Sequence, residues 1–190
     1  MDQISKIDKN FEVKTNLDLP NVRFYSALEK PFSLHGLFYK DGLFRRMPEE
    51  CAKNVSDSVC KLSAHTAGGR IRFRTNSSYI AIKAVMPHVG RMPHFALTGS
   101  AGFDLYVGEQ EKYVKTFNPP YNMENGYESV IQLAPGDCRD FTINFPLYSG
   151  ISKLYIGFED TAVVEAPVPY KIEKPIVFYG SSITQGGCAS

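Results

Sequence analysis

The chain has 190 residues, 43% of them hydrophobic, with 21 basic against 20 acidic side chains and a net charge of +1. That is enough apolar material for one medium domain with a packed core, or for one domain and part of another. The charge balance supplies no basic surface for nucleic acid or an anionic membrane, and no apolar run approaches the roughly 18 residues of a membrane-spanning helix.

The opening "MDQISKIDKNFEVKTN" is polar and lacks the apolar centre of a signal peptide. Residues 1–20 therefore read as an N-terminal extension, and the expected location is the cytoplasm. Cys51, Cys60, Cys138 and Cys188 follow no CxxC spacing, so free thiols are expected, with a Cys51–Cys60 pair as the alternative. In "LFYKDGLFRR" the dipeptide Asp41-Gly42 tolerates positive φ and predicts a type I′ hairpin. "SDSVCKLSAHTAGG" is the one helical stretch, capped by Ser56 or Asp57 and ended by Gly68.

From there strands dominate. "GRIRFRT" alternates, placing Ile71 and Phe73 on one face and Arg70, Arg72 and Arg74 on the other. "YIAIKAVM" aligns Ile80, Ile82, Ala84 and Met86. "GFDLYVG" aligns Phe103, Leu105 and Val107, and "YESVIQL" and "DFTINFP" flank the turn "APGD". "SKLYIGFED" adds Leu154, Ile156 and Phe158. Short alternating strands with one helical interruption predict a mainly β fold, an antiparallel jelly-roll-like β-sandwich over residues 21–166. Three prolines (Pro167, Pro169, Pro175) then mark 167–175 as an extended linker. Beyond it, Ile176–Tyr179 is continuously apolar, the pattern of a strand covered on both faces in a parallel α/β sheet. The change of period places a domain boundary at the prolines.

Several residues are candidates for chemistry. The run of small residues "GSSITQGG" after that strand puts Ser182 at a strand end just ahead of a helix start. There a hydroxyl can act as nucleophile while backbone N–H groups face developing negative charge. On residue type alone, a plain Gly/Ser-rich tail is the favoured reading of the stretch. Asp104, opposite Phe103 and Leu105, calls for a partner such as Arg72 or Arg74 in a sheet-surface ion pair. The row Arg70, Arg72, Arg74 reads as a solvated face or one beside acidic neighbours, with a contact to a second domain as the alternative. His88 and His94 lack a patterned third ligand, so no metal is expected. No cofactor is implied. Tyr106, Tyr121 and Tyr127 are a possible sugar platform, with core or turn roles as the simpler reading.

Two motifs together carry a family resemblance. Gly180-Ser181-Ser182-Ile183-Thr184-Gln185-Gly186 resembles the first block of the SGNH (GDSL) serine esterases, Gly-Asp-Ser-Ile/Leu-Thr-x-Gly, with Ser181 where Asp is usual. "GSAGFDLYVG" resembles the GxDLY signature of the β-domain found ahead of such esterases, through Gly102, Asp104, Leu105 and Tyr106. With "FSLHGLFY", "FRRMP" and "TAGGRIRFRTNS", the resemblance covers about residues 30–190. It implies that 176–190 begin an incomplete SGNH α/β/α domain and that Ser182 is the nucleophile, its own N–H an oxyanion donor. It also implies that the GxDLY residues are structural. The family's base is a His with an Asp three residues before it. None of His35, His65, His88 or His94 has that Asp, and none follows Ser182.

The expectation is therefore the accessory domain and nucleophile turn of an ester hydrolase, inactive by itself. Its partner is a C-terminal catalytic domain, and its substrate class a small ester or acylated sugar. The apolar run Ile176–Tyr179 adds self-association as an expectation. The alternative is a stand-alone carbohydrate-binding sandwich.

Overall fold

The computed structural model describes residues 13–172 and 174–188. Of the N-terminal extension, residues 1–12 lie outside the described residues, as do Ala189 and Ser190. Among the described residues, twelve strands form three sheets: β1 (Val22–Ser26), β2 (Ser33–His35), β3 (Phe38–Lys40), β4 (Leu43–Arg45), β5 (Arg70–Thr75), β6 (Tyr79–Val85), β7 (Phe103–Val107), β8 (Lys112–Phe117), β9 (Gly126–Gln132), β10 (Arg139–Asn144), β11 (Lys153–Glu159) and β12 (Val164–Glu165). Four short helices accompany them among these residues: α1 (Glu49–Lys53), α2 (Asp57–Ser63), α3 (Leu97–Ala101) and α4 (Ser182–Gln185).

One sheet runs β1-β11-β6-β9 and the other β12-β5-β10-β7-β8, with β2 also on the outer edge of β5. Every pairing is antiparallel. The turn "APGD" joins β9 to β10 across the two sheets and forms no hairpin. The chain folds this way because each alternating strand must bury one face. Ile71 and Phe73 of β5, Phe103 and Leu105 of β7, and Phe141 and Ile143 of β10 supply one wall of the core. Ile80 and Ile82 of β6 with Ile156 and Phe158 of β11 supply the other. Phe73 meets Phe158 edge-on at 5.3 Å between ring centroids, and Phe32 stacks on Phe158 at 6.2 Å. Aromatic pairs in these geometries add to simple burial.

The β3–β4 hairpin has the expected turn: φ is +52° at Asp41 and +77° at Gly42. The Ser56 hydroxyl caps α2 by accepting from the Val59 N–H at 3.2 Å. That helix stops at Ser63, well before Gly68, because the chain turns there to dock Thr66: its N–H donates to the Ser149 carbonyl at 3.2 Å. Two further helices escaped the sequence reading. Both α1 and α3 are single turns, too short for a 3.6-residue period to show.

The proline-containing stretch after β12 is pinned to the sheet. Arg72 donates to the Val168 carbonyl at 2.9 Å, and the Val168 N–H donates to Asp140 at 2.8 Å. Tyr170 lies over the Arg72 guanidinium at 4.0 Å and against His35 at 5.0 Å. All four cysteines are free thiols. No helix among the described residues is long and apolar enough to cross a membrane.

Phe158 is fully buried between the sheets. Phe158→Ala is expected to lower the unfolding free energy by about 3–5 kcal/mol in a urea titration. Val55→Ala, at an exposed position, should change it by no more than about 0.5 kcal/mol.

Candidate functional site

The stretch expected to be a buried strand, Ile176–Tyr179, forms none, and its side chains are 79–95% exposed. A strand needs a neighbour to take its backbone N–H and C=O groups. Among the described residues no strand pairs with this segment.

Immediately after it the chain is well defined. Gly180 sits where a Cβ would fall 2.1 Å from the Thr184 hydroxyl, so only glycine permits this approach. Ser181 is extended, and its hydroxyl accepts from the Ile183 N–H at 3.3 Å, capping α4. The residue that stands in for the family's Asp is thus the helix cap, a role Asp and Ser share. Ser182 is the first helical residue, with an exposed side chain whose hydroxyl has no partner among the described residues. The helix ends at Gly186, in the left-handed region at φ +95°. The Gly187 N–H then donates to the Ser182 carbonyl at 2.9 Å.

This turn leans on the sandwich. The Tyr148 hydroxyl donates to the Ser182 carbonyl at 3.2 Å. The Gln185 amide donates to the Leu147 carbonyl at 2.8 Å and to His65 Nδ1 at 3.1 Å, and it accepts from Arg46 at 3.2 Å. A Cβ at Gly186 would come within 2.9 Å of the Leu147 side chain, and one at Gly187 within 2.9 Å of the Tyr148 hydroxyl. His65 is 5% exposed and stacks on His88 at 5.4 Å with rings nearly parallel. Burial, then the charges of His88, Arg46 and Lys61, push its pKa down to about 4. His65 is therefore neutral at pH 7. Sequence reasoning missed Arg46, His65, Tyr148 and Gln185 as neighbours of the turn that carries Ser182. Only Gln185 lay inside a recognisable motif.

The GxDLY strand serves the structure around this turn. A Cβ at Gly102 would meet the Thr98 carbonyl at 2.2 Å, and the Gly102 N–H closes α3 on that same oxygen at 2.8 Å. Asp104 does not pair with Arg72 or Arg74. It lies opposite Asn144, and β10 separates β7 from the arginines of β5. Arg72 and Arg74 lie opposite Thr142 and Asp140, further along β10, and are engaged by the Val168 carbonyl and by Asp140 and Glu165. Asp104 instead accepts from the Thr116 hydroxyl on β8 at 2.6 Å. Leu105 is buried in the core, and Tyr106 packs edge-on against Tyr113 at 5.7 Å.

The arginine row finds other partners: Arg70 pairs with Glu111 at 3.1 Å, and Arg74 with Asp140 and Glu165 at 3.4 Å each. Tyr106, Tyr121 and Tyr127 form no joint platform. Tyr127 is buried and donates to the Phe117 carbonyl at 2.7 Å, Tyr121 projects from a loop, and Tyr106 lies on a different sheet from Tyr127.

A sequence model described as GxDLY, the N-terminus of SGNH-hydrolase-type esterases, matches residues 22–164. The chain belongs to that family. In structure it is similar to a protein described as a GDSL-like lipase from Bacteroides ovatus, with a TM-score of 0.76 and 26% identity over 88% of this chain and 49% of the other. It shares the fold of a salicylyl-acyltransferase from a tetracycline biosynthetic pathway, with a TM-score of 0.59 and 20% identity over 80% of this chain and 44% of that one. This GxDLY chain thus spans about half the length of each. No curated protein matches it.

His65 gives the site a pH signature. Its folded pKa of about 4 lies below the ordinary 6.5, so the unfolded chain binds more protons between those values. The stability it contributes is complete above pH 6.5 and is lost as pH falls toward 4. Unfolding free energy measured across that range should fall with acidification more steeply in the wild type than in His65→Gln.

Proposed function

We propose that this chain is the N-terminal accessory domain and nucleophile turn of a serine ester hydrolase, with Ser182 as the nucleophile. The observation that carries the reading is the geometry of Ser182. It is exposed at the first position of a helix, capped by Ser181 and seated by its carbonyl on Tyr148. A tail without function needs neither the glycines at 180 and 186 nor a built cap.

In this reading the Ser182 hydroxyl attacks an ester carbonyl, a base takes its proton, and the alcohol leaves an acyl-enzyme that water then hydrolyses. The base is not His65, whose Nδ1 is engaged by Gln185 and which makes no hydrogen bond to the Ser182 hydroxyl. An imidazole oriented by a carboxylate, and the remaining oxyanion donors, would come from a C-terminal catalytic domain. The two structural relatives, described as a lipase and an acyltransferase, share transfer of an acyl group. That supports an acyl ester as substrate, with short-chain esters and acylated sugars as the classes to test first. The boundary between the two domains falls in the proline-containing stretch 167–175.

The 190-residue chain should neither turn over p-nitrophenyl acetate nor react with a serine-directed phosphonate at Ser182. In the two-domain protein, Ser182→Ala should reduce kcat by roughly a thousand-fold or more, since removing one member of a catalytic triad typically costs 10⁴–10⁶. Ester turnover by the isolated chain, or an unaffected Ser182→Ala enzyme, would overturn the assignment.

A further inference from the structure

α4 has four residues, far too few to persist alone in water. The segment before it is exposed and pairs with no strand among the described residues, so the position of Ser182 must come from somewhere else. Beside the Tyr148 hydroxyl on the Ser182 carbonyl, it comes from Gln185. All three hydrogen bonds of its amide go to the sandwich, and each goes to a different segment. Arg46 follows β4, His65 follows α2, and Leu147 lies between β10 and β11. The Leu147 carbonyl can only accept and Arg46 can only donate, so the amide has one orientation. His65 must then present a bare Nδ1, which is the neutral tautomer with its proton on Nε2.

The receiving surface is itself rigid. The Leu147 and Tyr148 N–H groups donate to the Gly99 and Ser100 carbonyls of α3 at 3.3 and 3.1 Å. Thr66, next to His65, donates through its hydroxyl to the Pro146 and Ser149 carbonyls.

We infer that Arg46, His65 and the Leu147 carbonyl are positioning residues that set the place of the nucleophile through Gln185. The inference deepens the reading of Ser182 as nucleophile and rests on it. The sandwich is then a jig for the reacting hydroxyl in addition to a neighbour of the catalytic domain. Geometry matters here because a misplacement of about 1 Å in a reacting group can cost on the order of a hundred-fold in rate.

Gln185→Glu tests the contact directly. It keeps an oxygen for Arg46 but replaces the donor shared by His65 Nδ1 and the Leu147 carbonyl with a carboxylate oxygen. Held there, that oxygen favours a protonated His65; repelled by the carbonyl, it still takes away the donor that favours the neutral ring. The other charged or titratable groups around His65 (His88, Arg46, Lys61 and Tyr148) stay unchanged. In the 190-residue chain, the His65 ring resonances followed by NMR should titrate at least about one pH unit higher in Gln185→Glu than in wild type, the usual effect of an adjacent opposite charge. An unchanged titration means that residue 185 is not held at His65 and overturns the inference. Gln185→Ala, away from the core, should speed amide exchange at Gly186 and Gly187 by about ten-fold. Equal exchange overturns it as well.

In the two-domain enzyme, Gln185→Ala should lower kcat by about ten- to a hundred-fold with KM near wild type. An unchanged kcat would show docking without positioning and so refute the role. If the wild-type enzyme turns over no ester at all, the nucleophile assignment falls and the positioning role with it, whereas the docking still stands on the titration.

Discussion

The constraint on which the site depends is a small buried set of hydroxyls and carbonyls around Ser149. Ser149, Ser100 and Thr66 are all fully buried. The Ser149 hydroxyl donates to the Ser100 carbonyl at 2.8 Å and accepts from the Gly90 N–H at 3.1 Å, while its carbonyl accepts from Thr66. Each such group is costly to leave unpaired, by about 1–3 kcal/mol. The loop between β10 and β11 therefore has one conformation that satisfies all of them. Leu147 and Tyr148, which hold the turn at Ser182, belong to that loop. A surface that must receive another segment accurately is built here from polar groups, because apolar packing alone tolerates sliding and paired donors do not.

The far side of the molecule is organised by charge. The β5 arginines lie on the outer face of their sheet, where an antiparallel strand ordinarily shows polar groups to water. Arg72 is nevertheless 8% exposed, because the chain after β12 folds back over it. Tyr170 covers its guanidinium, and burial, then the charges of Arg72 and Arg70, lowers the pKa of the adjacent His35. Guanidinium groups suit this position: they are weakly hydrated and stack on aromatic rings. The segment leaving the sandwich is thus led along a defined path as far as Tyr170.

Much of this was legible in the sequence, and the rest was hidden for identifiable reasons. Strict alternation revealed β5, β7 and β11, since burial of one face writes a period of two into the chain. Asp41-Gly42 revealed its hairpin because only certain residues accept positive φ at both turn positions. Asp104 was misassigned a partner, since the partner depends on which strands are neighbours, and β10 begins 32 residues after β7 ends. His65 and Gln185 are 120 residues apart and neither belongs to a periodic pattern. The apolar run at 176–179 showed the period of a doubly covered strand, yet among the described residues no strand pairs with it.

The GxDLY signature and the small-residue turn at 180–187 look unrelated in sequence, yet the structure joins them through a short chain of contacts. Gly102 permits α3 to close on the Thr98 carbonyl and lead directly into β7, where Phe103 and Leu105 anchor it in the core. The carbonyls of α3 at Gly99 and Ser100 hold the N–H groups of Leu147 and Tyr148. Those residues in turn hold Gln185 and the Ser182 carbonyl. The glycine of the GxDLY signature is therefore two steps from the turn at Ser182 without touching it. A side chain at 102 would displace α3 from Thr98, and the displacement would pass to the loop that the α3 carbonyls hold. The core anchors the strand, the strand places the helix, and the helix sets the loop on which the turn at Ser182 rests.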